Sequence, residues 1–388
     1  MFQKKQFQAS NQTPSDEKAE AADKTISGSL SGKLTAVSFF GACSIVLLHA
    51  NTFYAGASQA ATWTMTFFSK VMTAFAVPMF FAISGFLIAV KTDSGRAGGW
   101  FPSILKKRVR TLLVPYFVWC IIYILSFIPL ALLKNRLLGK GLLENTSLVE
   151  PVLSLQNVVY LFGLSFSEYP ALRVLWYVRN LFLLCLLTPL LFPVMRHRLS
   201  ALLFLALNGI LFLLFPTLFP FFSGPGFNLQ GLLFFSIGIY LAEYPLKPDE
   251  FPYFRRSLPF LWVVLAVFKT WCLRNSGLSS EHSAMLLNAC IVVGVGSVWV
   301  LYDMIPAFRL LGRLRVSKDS FFLYAFHLIV MDILIGSQVQ DLLRSRLHVP
   351  ELGIYFLRFL IPLALSLLTA EILKRLLPRF YGLLTGGR

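Results

Sequence analysis

The stretch "VMTAFAVPMFFAISGFLIAV", residues 71–90, contains twenty residues and no charged side chain. An α-helix needs about 17 to 25 mainly apolar residues to cross the hydrocarbon core of a bilayer. The rest of the chain has the same character, since 56% of its 388 residues are hydrophobic, 38 are Phe and only 14% are charged. These proportions exclude a soluble globular protein and predict an all-α, polytopic membrane protein.

Ten apolar segments are candidates for transmembrane helices. They lie at about 34–53, 70–91, 111–133, 174–195, 200–220, 228–243, 257–273, 284–303, 319–338 and 353–374. We therefore predict a disordered cytoplasmic tail at 1–33, a transmembrane domain at 34–375 and a short cytoplasmic C-terminal tail at 376–388. The first tail is polar and has no apolar core near its start, so it is not a cleavable signal peptide.

Lysine and arginine are distributed unevenly over the predicted connections. With a cytoplasmic amino terminus, inner segments carry 24 of the 35 basic residues and outer segments carry eight. This asymmetry follows the positive-inside rule and predicts that both termini are cytoplasmic. The net charge of +17 then requires no nucleic-acid partner. The longest outer connection, 134–173, has an apolar middle that is too short to cross the bilayer, and we expect it to cover a site from outside.

Several common kinds of site are excluded by the sequence. The five cysteines all lie in or beside predicted spans with no paired spacing, so neither a disulfide framework nor a metal site is indicated. The chain has no P-loop and no G-x-S-x-G motif, which argues against a nucleotide-hydrolysing pump and a soluble-type esterase.

A histidine follows the apolar run of the first predicted span, in "GACSIVLLHANTFY", residues 41–54. His49 lies 15 residues beyond Leu34, or about 22 Å along a helix, which places it in the outer half of the bilayer. An ionisable side chain at that depth is costly unless it faces a polar cavity or another helix. His49 is therefore either a functional group or a neutral imidazole bonded to a neighbouring helix.

Four further stretches occur in a fixed order along the predicted spans. They are "PMFFAISGFL" at 78–87, "KKRVRTLLVPYFVW" at 106–119, "LWYVRNLFLLCLLTP" at 175–189 and "SFFLYAFHL" at 320–328. Together with His49 and about ten spans, this order resembles the acyltransferase 3 family of membrane O-acyltransferases. The resemblance covers roughly residues 34–375, and many members of the family acetylate bacterial surface polysaccharides.

The resemblance implies that His49 is the catalytic residue. Acyl transfer from a thioester to a hydroxyl needs a base for the hydroxyl proton, and histidine titrates near neutral pH. The same residue can instead act as a nucleophile through an acyl-histidine intermediate. In the family pattern a basic residue precedes the histidine by eleven positions, but this chain has Ser38 there. Lys33 does not share the helix face of Ser38, so a cation from another segment fills that place or the donor is held differently.

The remaining motifs supply candidate substrate-binding residues. The hydroxyl of Ser84 either forms a hydrogen bond with His49 or with an oxyanion, or Ser84 is a packing residue beside Gly85. Trp176 and Tyr177 belong either to the site or to the interfacial aromatic belt. Arg179 binds substrate or pairs with a carboxylate such as Glu168, and Asn180 stands where some family members have Asp. His327 near mid-membrane, with Asp332 beyond it, lines the polar cavity or is a structural histidine.

The inner connection 91–110 is the candidate donor site. Its candidate donor-binding cations are Lys106, Lys107, Arg108 and Arg110. They have the charge to hold the phosphates of coenzyme A, although positive-inside topology also explains them. We thus expect a cytoplasmic (inner) membrane enzyme that takes acetyl-CoA or another acyl-CoA as co-substrate, without a bound cofactor, and acylates a carbohydrate or glycolipid acceptor. The rival interpretation is a non-enzymatic transporter or flippase whose path is lined by His49, Arg179, His327 and Asp332.

Overall fold

The computed structural model describes residues 27–137, 162–163, 169–216, 228–245 and 252–387, except residues 53, 97 and 276. Within these residues every regular element is helical, which confirms the predicted all-α class. Most of the amino-terminal tail and most of the outer connection 134–173, including Glu168, lie outside the described residues.

Sixteen α-helices are described, numbered here in chain order. The first eight are α1 (Gly28–His49), α2 (Gln59–Met65), α3 (Ala76–Thr92), α4 (Trp100–Arg108), α5 (Val114–Leu137), α6 (Trp176–Leu186), α7 (Thr188–Arg196) and α8 (Arg198–Leu214). The others are α9 (Leu229–Glu243), α10 (Pro252–Asn275), α11 (Ser280–Met304), α12 (Pro306–Leu311), α13 (Ser320–Leu334), α14 (Ser337–Ser345), α15 (Glu351–Leu376) and α16 (Pro378–Thr385). Short π and 3-10 segments occupy Thr66–Val71, Met72–Phe75, Asp93–Gly95, Val109–Leu113, Arg173–Leu175 and Arg315–Asp319.

The helical segments fit a multi-pass membrane protein. Six are long and apolar enough to cross a bilayer, namely Gly28–His49, Gln59–Gly95, Trp100–Ser126, Arg255–Asn275, Ser280–Met304 and Glu351–Leu376. Two bent pairs raise the number to eight if each is one span: Arg173–Leu186 with Thr188–Arg196, bent by 63°, and Arg315–Leu334 with Val339–Ser345, bent by 54°. The fifth and sixth predicted spans are the shorter helices α8 and α9, so the count of ten, like the side of the termini, stays a prediction.

Two predicted boundaries differ from the structure. The first span was expected at 34–53, but α1 begins at Gly28, where the Ser27 hydroxyl accepts a hydrogen bond from the Leu30 amide, and ends at His49. The connection 91–110 was expected to be a loop, but α4 begins at Trp100 and leads through a π-helical segment into α5. Lys106, Lys107 and Arg108 are therefore on α4, and Arg110 is in the π-helical segment that continues into α5.

Helices α3 and α9 are in direct backbone contact through two glycines. A Cβ atom built on Gly85 would lie 2.0 Å from the carbonyl oxygen of Phe235, and one built on Gly238 would lie 2.0 Å from that of Ala82. Only residues without a side chain allow helices to approach so closely. The packing interpretation of the Ser84-Gly85 pair thus holds for the glycine.

Helix α1 lies among the other helices of the bundle, in contact with α3, α12, α13 and α15. Ten of its residues, mostly small or apolar, are buried. This position brings the end of α1, with His49, next to α13 and α15.

Candidate active site

The two histidines predicted within or beside the spans lie next to each other. His49 is the last residue of α1, and His327 lies in the middle of α13. Their ring centroids are 5.5 Å apart and the ring planes are inclined by 35°. His327 has no exposed surface, whereas His49 is half-buried. Of the two histidines, His49 therefore lies nearer the surface, and His327 lies deeper in the bundle.

The hydrogen bonding of His327 identifies its tautomer. Its Nδ1 atom lies 3.2 Å from the carbonyl oxygen of Leu323, one turn earlier in α13. A carbonyl only accepts, so Nδ1 donates and carries the proton. Within the described part of the chain, the buried Nε2 atom has no hydrogen-bond partner. In the neutral ring Nε2 is then a buried hydrogen-bond acceptor. Burying an acceptor costs free energy unless a bound group or a neighbouring residue donates a hydrogen bond to it.

One arginine joins the two helices that carry the histidines. Nε of Arg358, on α15, donates a hydrogen bond to the carbonyl oxygen of Ala50 at 3.1 Å, and Nη2 donates one to the carbonyl oxygen of His49 at 3.3 Å. Its Nη1 donates to the carbonyl of Ile335, directly after α13, at 2.5 Å. The last carbonyls of a helix have no partner within the helix, and a cation there is also favoured by the helix dipole. Arg358 therefore ends α1 at His49 and fixes α13 beside it.

Asp332 follows His327 on α13 but has a different partner. Its Oδ2 accepts a hydrogen bond from the hydroxyl of Tyr123 on α5 at 3.2 Å. Five residues of α-helix turn the chain by about 500°, so Asp332 and His327 do not share a face. The structure thus places Asp332 at the contact between α13 and α5.

Ser84 lies in an aromatic cluster around Tyr177. Its hydroxyl is 3.4 Å from the hydroxyl of Tyr177 on α6. The Tyr177 ring is 4.8 Å from Phe81 and 5.9 Å from Tyr324, one turn before His327. Three of the sequence motifs therefore meet around Tyr177, and the cluster connects Ser84 to the helix that carries His327.

Arg179 and Asn180 are buried at the start of α6, while Trp176 is half-buried. The guanidinium of Arg179 donates to the carbonyl of Gly163, and the hydroxyl of Tyr116 on α5 donates to the carbonyl of Phe162. Arg179 thus binds the backbone of the outer connection. The alternative partner, Glu168, lies outside the described residues.

The predicted donor-binding cations lie on the surface of the bundle. Lys106, Lys107 and Arg110 are exposed and Arg108 is half-buried. Among the residues that the structure describes, none of the four forms an ion pair. Their charges are consequently available to an anionic ligand.

Lys33 does not replace the basic residue expected at Ser38. Its Nζ lies 2.6 Å from Oδ2 of Asp303 and 4.2 Å from the ring centroid of Trp299. In the described structure no hydrogen bond or ion pair joins Lys106, Lys107 or the arginines that follow them to α1. That a cation from another segment fills the place of the family's basic residue near Ser38 stays a prediction.

Sequence reasoning gave no role to Arg358 or to Tyr324. Arg358 does carry a signal, because an arginine inside an apolar span needs a polar partner. Its partners are backbone carbonyls, which every residue has, so the sequence could not indicate where the side chain binds. Tyr324 lies in the quoted motif "SFFLYAFHL", but its contact with Tyr177 depends on how α6 and α13 pack.

The fold and the paired histidines define a multi-pass membrane protein with a candidate acid–base site at the end of its first helix. The model of a family described as an acyltransferase domain, acyltransferase 3, matches residues 34–371. The chain therefore belongs to the acyltransferase 3 family, as its motifs predicted. It is also 25% identical, over 330 residues, to the succinoglycan biosynthesis protein ExoH of Rhizobium meliloti (strain 1021), covering 84% of this chain and 82% of that protein. No solved structure matches this chain.

Proposed function

We propose that this membrane O-acyltransferase moves an acetyl group from acetyl-CoA to a sugar hydroxyl of a cell-surface polysaccharide or its lipid-linked precursor. The carrying observation is the adjacency of His49 and His327 at the end of α1, with His49 accessible. The family supports the reaction class, and the name of the relative from Rhizobium meliloti supports a polysaccharide acceptor. We place the protein in the cytoplasmic membrane.

In the proposed step His49 acts as the general base. It removes the proton from the acceptor hydroxyl while the hydroxyl oxygen forms a bond to the thioester carbonyl carbon. The C–S bond then breaks, and the proton on His49 passes to the CoA thiolate. The ring centroids of His49 and His327 are 5.5 Å apart. Nε2 of His327 is a hydrogen-bond acceptor and can hold the acceptor hydroxyl or the N–H of His49 in place.

The donor is proposed to bind at the other end of the bundle. Helix α3 returns from the His49 end of α1, so the exposed cations on α4 and the following turn lie near the opposite end. Phosphates of acetyl-CoA would bind there, while the acyl arm extends between the helices toward His49. A cluster of Lys and Arg suits this ligand because each phosphate takes several charge-assisted hydrogen bonds.

The test uses purified protein with acetyl-CoA labelled in the acetyl group and de-O-acylated polysaccharide from cells that produce this protein. We expect transfer of label and release of CoA, and a loss of about 10²- to 10⁴-fold in His49→Ala, the range for removing a general base. His327→Ala is expected to lower the rate as well, while His197→Ala, at an exposed position between α7 and α8, serves as the matched control.

Two outcomes would contradict the proposal. Retained transfer in a folded His49→Ala variant would remove the role of His49. No label and no CoA release with the folded wild-type protein would reject acetyl transfer and favour the transporter interpretation.

A further inference from the structure

A cavity of about 410 Å³ opens beside the end of α1. Its walls come from the segment after His49, which includes Tyr54 and Ala57, and from the segment that enters α15, which includes Glu351 and Leu352. The volume lies in the range of about 300 to 1,000 Å³ that is usual for small-molecule sites. It is a separate space from the contact between His49 and His327, and none of the motifs pointed to it.

The polar groups of the cavity form one connected set. Arg344 donates to both carboxylate oxygens of Glu351, at 2.9 Å from Nε and 2.9 Å from Nη2. The guanidinium carbon of Arg344 lies 4.2 Å from the ring centroid of Tyr54. A carboxylate has about four acceptor positions, so Glu351 retains acceptor capacity for a ligand. An aromatic ring, an arginine and a carboxylate together offer an apolar surface, donors and acceptors, which is the combination that a sugar unit needs.

The walls of the cavity are held in place by the protein itself. Besides Glu351, Arg344 donates to Asp341 at 2.9 Å and to Gln340 at 3.3 Å. The Tyr54 ring lies against Gly56, where a Cβ atom would be 2.8 Å from a ring carbon. The site is therefore largely formed before a ligand arrives, which lowers the entropy cost of binding.

The cavity is linked to His49 through packing. Part of the cavity wall belongs to the small apolar cluster that contains Ala50, the residue after His49, or packs against it. These lining residues are Ala57, Ala61 and Leu352. Thr52 lies within hydrogen-bonding reach of Glu351. Arg358, which binds the carbonyl of His49, is on the same helix as Glu351. The cavity and His49 are thus connected through continuous packing and hydrogen bonds.

Tyr54 also borders a second cavity of about 190 Å³, together with Asn51, Lys70 and Arg274. Tyr54 therefore lines both cavities. This arrangement fits consecutive units of a chain better than a single small molecule, because each unit would contact the same ring.

We propose that the cavity of Tyr54, Arg344 and Glu351 binds a sugar unit of the acceptor glycan, with a second unit in the smaller cavity that Tyr54 also lines. This inference rests on the proposed acyl transfer and adds the place and the length of its acceptor. The bound unit presents a hydroxyl to His49 from the open side of α1.

The experiment measures the acceptor KM in the labelled-acetyl assay. The acceptor is the de-O-acylated polysaccharide, cut into fragments of graded length. For the wild-type protein, KM is expected to fall from one sugar unit to two or more. Tyr54→Ala and Glu351→Gln are expected to raise the acceptor KM about 10- to 100-fold, the effect of losing a hydrogen bond to a charged group or an equivalent contact. The advantage of longer fragments should decrease in Tyr54→Ala.

Asp341→Asn is the matched control, because Asp341 also binds Arg344 but does not line the cavity and is largely exposed. Tyr54 is 46% exposed, so its truncation should leave the fold intact. A wild-type acceptor KM in folded Tyr54→Ala and Glu351→Gln would overturn the assignment of the cavity and leave acyl transfer standing. Absence of transfer in the wild-type protein would instead refute the proposed function.

Discussion

Replacing Arg358 should uncouple the two histidine helices. In Arg358→Gln the three hydrogen bonds to the carbonyls of His49, Ala50 and Ile335 are lost. A hydrogen bond to a charged group contributes about 1.5 to 3 kcal/mol. We take the lower value for each bond, because carbonyls at helix ends can rebind water, and expect a loss of about 4.5 kcal/mol in the free energy of unfolding.

The same variant should be slow even where it is folded. A displacement of about 1 Å at a reacting group can reduce a rate about 100-fold, so we expect kcat to fall by that order while KM for acetyl-CoA stays near its wild-type value. Arg358→Lys keeps the charge but not the planar fork of donors, and should recover part of both losses. Unfolding in SDS gives the free energy, and CoA release gives the kinetic constants.

A surface arginine of the same helix provides the control. Arg375 is 76% exposed in its side chain and pairs with Glu371 one turn earlier at 2.8 Å. An exposed pair of this kind contributes little to stability because water and salt screen it, so Arg375→Gln should differ little from the wild-type protein. Wild-type stability and kcat in Arg358→Gln would refute the role that we assign to Arg358.

Two further predictions concern packing and the donor. Gly85→Ala should destabilise the protein by about 1 to 3 kcal/mol in SDS unfolding, because its Cβ would meet a backbone carbonyl. The control is Gly209→Ala, whose Cβ meets nothing within 4 Å. Equal stability of the two variants would contradict the backbone contact at Gly85. The triple variant K106Q/K107Q/R110Q should raise KM for acetyl-CoA about tenfold, most at low salt, with kcat little changed. A KM independent of these cations would place the donor elsewhere.

The helices were predictable because the length of an apolar run decides membrane insertion. Their ends were not, because distant groups determine them. His49 ends α1 since Arg358, 309 residues further along the chain, binds its carbonyl. The helical path Gln59–Gly95 also begins eleven residues before the predicted second span, because the Ser58 hydroxyl caps its start by accepting a hydrogen bond from the Ala61 amide.

The candidate site was predictable in part. Depth in the membrane and the motif order singled out His49 and His327, but the sequence contains no information on the 5.5 Å separation of their rings. Arg179 was expected to bind substrate or to pair with a carboxylate such as Glu168, and within the described residues it also donates to the carbonyl of Gly163. Backbone partners leave no trace in a sequence, which is why the roles of Arg179 and Arg358 appear only in the folded chain.

The glycine contacts between α3 and α9 have a mechanical consequence. Two helices that touch through their backbones at Gly85 and Gly238 cannot slide along each other without first separating. This pair therefore moves as one body during turnover. In the proposed reaction, the gap for the acyl arm and for the departing CoA would then open at interfaces made of side chains, such as those of α1 and α13 with α15, where single rotamers can change while the glycine-packed pair stays still.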